Sequence, residues 1–188
     1  MSRTGPGSCY DTAMTFLEYF SESVRHIYLV ERSESRLMRL CNLGLRITNR
    51  LGWSSIKNFM TAYCTTIART IYAHPRWPRD MQPRPLMVHE LTHVLQWSLL
   101  YALRYLLSKR WRLRYESEAI QTEMLCFDYC RTTDYIRARA EDLVDYGLGK
   151  EEASSHLVLL LLHAQKRDEL EPNARKVWEA YRAWNRTG

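Results

Sequence analysis

The segment Pro85-Leu-Met-Val-His-Glu-Leu-Thr-His-Val-Leu-Gln96 constrains this chain more than any other. Pro85 is suited to the first position of a helix, where its missing N–H would be unpaired anyway. Around the polar letters stand Leu86, Met87, Val88, Val94 and Leu95, the residues of a buried helix rather than a surface one. Two histidines and a glutamate are thus carried into an apolar surround in the spacing HExxH. Residues four apart on a helix are neighbours, so His89 and His93 can offer two imidazole nitrogens to one ion at about 2.0–2.1 Å. Glu90 is rotated from that pair by about 100°, where its carboxylate can reach a zinc-bound water without occupying the metal. Zinc brings the pKa of such a water to about 7, and a glutamate so placed can take its proton and later deliver it to a leaving amine.

Composition describes the body around that helix. Of 188 residues 46% are apolar, and seven Gly and six Pro are too few for a low-complexity chain, so a single domain over 1–188 is expected. Twelve Tyr and six Trp against four Phe supply many rings with a polar handle, suited to a partly wet site. Lys and Arg exceed Asp and Glu by 27 to 21, but the basic residues are separated, as in Arg104, Lys109, Arg110, Arg112 and Arg114 with Trp and Leu between them. That pattern favours a solvated basic face over a nucleic-acid partner. Cys9, Cys41, Cys64, Cys126 and Cys130 are odd in number and lack a CxxC spacing, which points to free thiols. The first residues hold no apolar signal-peptide core, and the stretches 99–107 and 157–162 are far shorter than the roughly 18 apolar residues of a membrane span. A soluble, cytoplasmic protein with no membrane partner is the expectation.

Helical spacing of Met14, Leu17, Phe20, Val24 and Ile27 predicts a first helix over about 11–31. A second is predicted after it, capped by Ser33, with Leu37, Leu40, Cys41, Leu45 and Leu51 on its buried side and a stop at Gly52. Ile67, Ile71 and Ala73 alternate with Thr66, Thr70 and Tyr72, which predicts a strand within 58–73, and the prolines at 75, 78 and 83 predict a loop after it. Further helices are predicted over 99–107, 114–131, 134–146, 150–167 and 172–184. The fold class expected is α+β, predominantly helical, with a small antiparallel sheet.

An HExxH pair needs a third ligand, and the segment Arg114-Tyr-Glu-Ser-Glu-Ala-Ile-Gln-Thr-Glu123 offers Glu116, Glu118 and Glu123. Glu116 is the preferred reading. It shares a helix face with Ala119, Ile120 and Glu123, and the small Ala119 allows close approach to the HExxH helix. Glu118 points about 200° away and is expected in solvent, while Glu123, two turns along, is expected behind the ligands.

These residues resemble a family. His89-Glu-Leu-Thr-His-Val-Leu-Gln-Trp97, followed 23 residues after His93 by Glu116-Ser-Glu-Ala119, is similar to the gluzincin branch of the zincin metallopeptidases. The Glu-x-x-Ala spacing resembles the thermolysin-like and prenyl-protease-like groups, and the short chain resembles the minigluzincins and small zinc peptidases of phage genomes. The resemblance covers about 65–127, with helical flanks on both sides that match nothing in it. It implies a zincin-like fold around an HExxH active-site helix, Zn2+ on His89, His93 and Glu116, catalysis by Glu90, and a peptide or protein substrate. It also implies that Thr70-Ile-Tyr-Ala-His-Pro75 is the edge strand beside the cleft. One position departs: many gluzincins carry an aspartate four residues after the ligand glutamate, and Ile120 stands there. Glu123 or Asp128 would have to orient the zinc histidine instead. For the group that stabilises an oxyanion, His74, Tyr72, Tyr115, Tyr129, His156 and His163 are all candidates.

Overall fold

The computed structural model describes residues 15–50, 64–73, 84–145, 150–165 and 170–187. The first helix, α1 (Phe16–Ser23), begins later than the apolar spacing predicts because Thr15 and Glu18 form a capping box. The Glu18 N–H donates to the Thr15 hydroxyl at 3.2 Å, and the Thr15 N–H donates back to the Glu18 carboxylate at 2.8 Å. It also ends earlier. Beyond Ser23 the Ile27 N–H donates to the Ser21 hydroxyl and the Tyr28 N–H to the Arg69 carbonyl, so Tyr28–Glu31 is a strand, β1, rather than the end of a helix.

Helix α2 (Arg36–Arg50) starts from Ser35, whose hydroxyl accepts the Met38 N–H; the Ser33 hydroxyl instead donates to Glu31. Its orientation also differs from expectation. Met38 is buried and Cys41 half-buried, whereas Leu37 and Leu40 are exposed. The Leu45 side chain, Leu51, the stop at Gly52, the stretch 58–63 and the proline loop of 74–83 lie outside the described residues.

Strands β2 (Thr65–Ile67) and β3 (Thr70–Ala73) pair antiparallel through a two-residue turn at Ala68 and Arg69, with Thr66 opposite Ile71. Ala68 takes φ 57°, a left-handed conformation that costs a non-glycine residue about 1 kcal/mol. Strand β1 lies parallel to β3, Leu29 opposite Ile71, and α2 falls within the crossover that a parallel pair requires. The sheet is therefore mixed, in the order β1-β3-β2, and not antiparallel. Thr70–Ala73 is its central strand, not its edge; the edge beside the motif helix is β2.

The remaining elements are α3 (Pro85–Gln96), α4 (Leu99–Leu107), α5 (Lys109–Cys126), a 3-10 turn (Asp128–Arg131), α6 (Thr133–Asp145), α7 (Lys150–Gln165) and α8 (Pro172–Trp184). Prolines occupy the first turns of α3 and α8, and the Ser98 hydroxyl caps α4 by accepting the Tyr101 N–H at 2.9 Å. Every residue from Met87 to Val94 is buried. Helix α3 achieves this by packing against β2 and β3, α8 and, most extensively, α5. Leu91 and Val94 join Phe16, Phe20, Ile71, Val177 and Ala180 in one core. On its other side α5 turns Ile120 and Met124 toward Ile136, Ala140, Leu143 and Leu157 in a second. Truncating a leucine such as Leu91 in a core of this kind costs about 2–5 kcal/mol. The two helices that carry the polar motif are thus the two most completely enclosed.

Candidate metal centre

Helices α3 and α5 lie close because small groups line their contact. Ala119 is fully buried there, and the hydroxyls of Thr92 and Thr122 meet at 2.9 Å. That contact brings three side chains to one point. The Nε2 atoms of His89 and His93 stand 3.1 Å apart, and the Glu116 carboxylate lies 3.3 Å from the first and 3.6 Å from the second. One ligand atom from each of the three falls within 4.8 Å of the others, and all three residues are buried. This group could hold a metal ion. Glu118, by contrast, contributes no atom to it.

What the imidazoles do on their far sides decides what they offer on the near side. His89 Nδ1 is 2.9 Å from Glu123 Oε1, and His93 Nδ1 is 2.7 Å from Gln96 Oε1. Both partners are acceptors, so each Nδ1 carries a hydrogen, and in the neutral ring each Nε2 presents a lone pair. Two lone pairs and a carboxylate then face one point, and only a positive charge there, proton or cation, reconciles them. Two nitrogens on one tetrahedral ion at 2.0–2.1 Å would stand about 3.3 Å apart, close to the separation seen. The residues present therefore fit an ion.

The electrostatics agree. Burial opposes charge on His89, but the Glu123 carboxylate and hydrogen bonds to Glu116 and Glu123 outweigh it and hold the ring's pKa up at about 10. Burial likewise opposes charge on His93, and Glu116 overcomes it and raises that ring also. Burial alone would raise Glu116, yet the imidazoles of His93 and His89 pull it well below the usual carboxylate range.

Behind His89, Glu123 is fully buried and saturated. It accepts from Tyr135 Oη at 2.7 Å and from Arg139 Nε and Nη2 at 3.0 and 2.5 Å, both residues lying on α6. The carboxylate that orients the histidine thus comes seven residues after Glu116, where Ile120, four residues after it, packs in the second core instead. Asp128 takes no part in orienting the ring, being exposed and paired with Arg131. Behind His93, Gln96 passes its amide hydrogens to the Tyr115 carbonyl at 3.0 Å and to Glu118 at 2.8 Å. Glu118 is not in solvent, as its helix position suggested. It is buried because it accepts the Asn173 and Ala174 N–H groups at 2.8 and 3.3 Å, the free amides at the start of α8.

Glu90 is buried beside the pair, and the Thr66 hydroxyl of β2 donates to its Oε2 at 2.6 Å. Arg32, fully buried, donates to the neighbouring Thr65 hydroxyl and lies near enough to Glu90 to feel its charge. On the opposite side the Tyr105 hydroxyl of α4 donates to Glu116 Oε1 at 2.6 Å, while the Tyr101 ring stands beside His93 and Tyr115.

The structure thus gathers His89, Glu90, His93, Glu116 and Glu123 as the spacing suggested. Tyr105, Gln96, Thr66, Tyr135 and Arg139 were missed. Of these only Gln96 had a local signal, three residues after His93 on one helix face; the others arrive from separate elements. Among the oxyanion candidates, Tyr129 is exposed, Tyr115 lies tilted against the Tyr101 ring and His156 pairs with the Ser117 hydroxyl at 2.7 Å. Tyr72 lies on the central strand, and His74 and the His163 side chain lie outside the described residues. Comparisons of the chain with protein-family profiles, curated proteins and solved structures find no match.

Proposed function

We propose that the protein is a zinc-dependent metallopeptidase. The observation that carries the reading is the convergence of two Nε2 lone pairs and the Glu116 carboxylate on one point, with Glu90 alongside. His89, His93 and Glu116 would hold the ion. Zinc in that position supplies Lewis acidity, lowering the pKa of water and polarising a carbonyl. Thr66 occupies Oε2 of Glu90, which leaves Oε1 to take a proton from the attacking water and to return it to the leaving amine. The Thr66 bond also fixes the carboxylate against rotation, so its basic oxygen is aimed before substrate arrives. Strand β2 has β3 as its one neighbouring strand among the described residues, so an extended peptide can add along its other side, next to Glu90.

A second reading has its own support. The three ligands and Glu90 are all buried, as in the closed sites where an ion serves structure rather than turnover. The two readings part on a peptide-library digest by metal-loaded protein. Cleavage by the wild type that Glu90→Gln abolishes while retaining its metal supports hydrolysis; no cleavage by a fully loaded wild type assigns the ion a structural role. Metal analysis of Glu116→Gln beside the wild type tests the ligand set, and undiminished metal in the variant would overturn it.

A further inference from the structure

Helix α4 is apolar all round but for Arg104, and the described residues cover only one side of it. Its tyrosines turn inward, Tyr105 to Glu116 and Tyr101 to His93. At 100° per residue Leu99, Leu100, Leu103 and Leu107 share the opposite arc, about 100° wide. Their exposure is 78%, 52%, 49% and 83%, a continuous leucine stripe facing water.

The surroundings of the stripe indicate its occupant. No acidic residue stands between Glu90 and Glu116, while Arg104, Lys109, Arg110, Arg112 and Arg114 do. Arg110 and Arg114 are exposed, the latter 3.6 Å from Glu171 at the rim. Trp97 and Trp111, both half-buried, frame the helix at its two ends, and the Arg104 guanidinium stacks 4.1 Å from the Trp111 ring. Leucines between tryptophans, on a segment edged by arginine and without an acidic residue of its own, match an anionic phospholipid surface: acyl chains for the stripe, interfacial rings at the boundary, headgroup phosphates for the guanidinium groups. The exposed residues of α7, Val158, Leu159 and Leu162, form a contrast, since that helix opens on exposed Glu151 and Glu152. Helix α2 repeats the leucine and arginine pairing over Arg36–Arg50, but several of its side chains lie outside the described set.

We propose that α4 seats its leucine stripe in the surface of an anionic lipid bilayer. The helix lies flat: nine residues span about 14 Å, half the hydrocarbon thickness, and no helix among the described residues is long and apolar enough to cross. The expectation of no membrane partner rested on span length, which does not bear on a helix lying in the interface. The proposal does not depend on the metal centre being hydrolytic.

Co-sedimentation of the full chain with phosphatidylcholine vesicles, with and without phosphatidylglycerol, tests it. The wild type should pellet with the anionic vesicles, and less so as salt is raised. The double variant Leu103→Gln, Leu107→Gln should bind them about tenfold or more weakly, as the loss of buried leucine surface requires, with helicity and metal content unchanged. Val158→Gln with Leu159→Gln should bind as the wild type does, and Arg110→Glu should weaken anionic binding selectively. A wild type that stays in the supernatant, binding that survives the α4 double variant, or a vesicle-free dimer that the same variant dissociates would overturn the proposal, the last by making a second copy the occupant.

Discussion

His89 and His93 share a helix face and a common partner in Glu116, but their far sides are held by different chemistry. His89 leans on ions: a fully buried carboxylate, a guanidinium and a phenol contributed by α5 and α6. His93 leans on a neutral amide of its own helix, and charge enters only one step further back, where Glu118 meets the start of α8. An ionic brace raises the basicity of its histidine strongly and fails badly when broken, because it leaves a buried charge behind. An amide relay sets the tautomer with less field and less to lose.

The largest break should come from Glu123→Gln, which takes the buried carboxylate away from Arg139 and leaves one amide oxygen to do for His89, Tyr135 and Arg139 what two carboxylate oxygens did. Unfolding free energy should fall by about 3 kcal/mol or more, and metal affinity by about 10–100-fold, read by urea denaturation and by metal titration. Affinity that holds while stability falls would reduce Glu123 to a fold residue.

Titration should produce the next effect, on the order of a few kcal/mol. With metal stripped, His89 and His93 have raised pKa values, so their stabilisation is complete below the ordinary 6.5 and is lost at higher pH, for His89 as pH rises toward about 10. Glu116 and Glu123 have lowered values, so theirs is complete above 4.5 and is lost on acidification. Stripped protein should therefore melt highest between about pH 4.5 and 6.5. Metal competes with the histidine protons, so its affinity should climb as pH rises above that window. A melting temperature of stripped protein that keeps rising to pH 9 would contradict both brace and relay.

Glu118→Gln should do less, since the amide keeps the shape and one acceptor while removing charge from the start of α8. About 1 kcal/mol of stability and less than a tenfold change in metal affinity are expected. An effect as large as that of Glu123→Gln would erase the distinction between the two supports. Smallest of all should be Tyr105→Phe, which deletes one hydrogen bond to Glu116; about 1 kcal/mol or less in thermal unfolding, with a few-fold change in metal release, is the outcome to check.

What the sequence made legible was whatever a single helix encodes. The pairing of His89 with His93 and the positions of Glu90, Glu116 and Glu123 around them all follow from turns of about 100° along α3 and α5, and the bounds of α8 follow from Pro172. What it concealed was contact between elements. Glu118 read as solvent-facing because helix geometry describes rotation about one axis and is silent about a neighbour arriving from 55 residues away. Tyr105, Tyr135, Arg139 and Thr66 were invisible for the same reason. The parallel strand was hidden for the same reason: apolar spacing runs on to Ile27, whereas Tyr28–Glu31 becomes a strand through its pairing with β3, some forty residues on. The leucines of α2 and α4 show the converse limit, since apolar spacing identifies a face and not which way it turns.

The bond from Glu118 to the amides of Asn173 and Ala174 also sets an order of events during synthesis. His89, His93, Gln96 and Glu116 leave the ribosome before α8 does, so the nascent chain carries the three converging side chains and the amide behind His93 while Glu118 still lacks its α8 partners. Docking of α8 therefore closes, last of all, the line of bonds that runs back from His93 through Gln96 and Glu118.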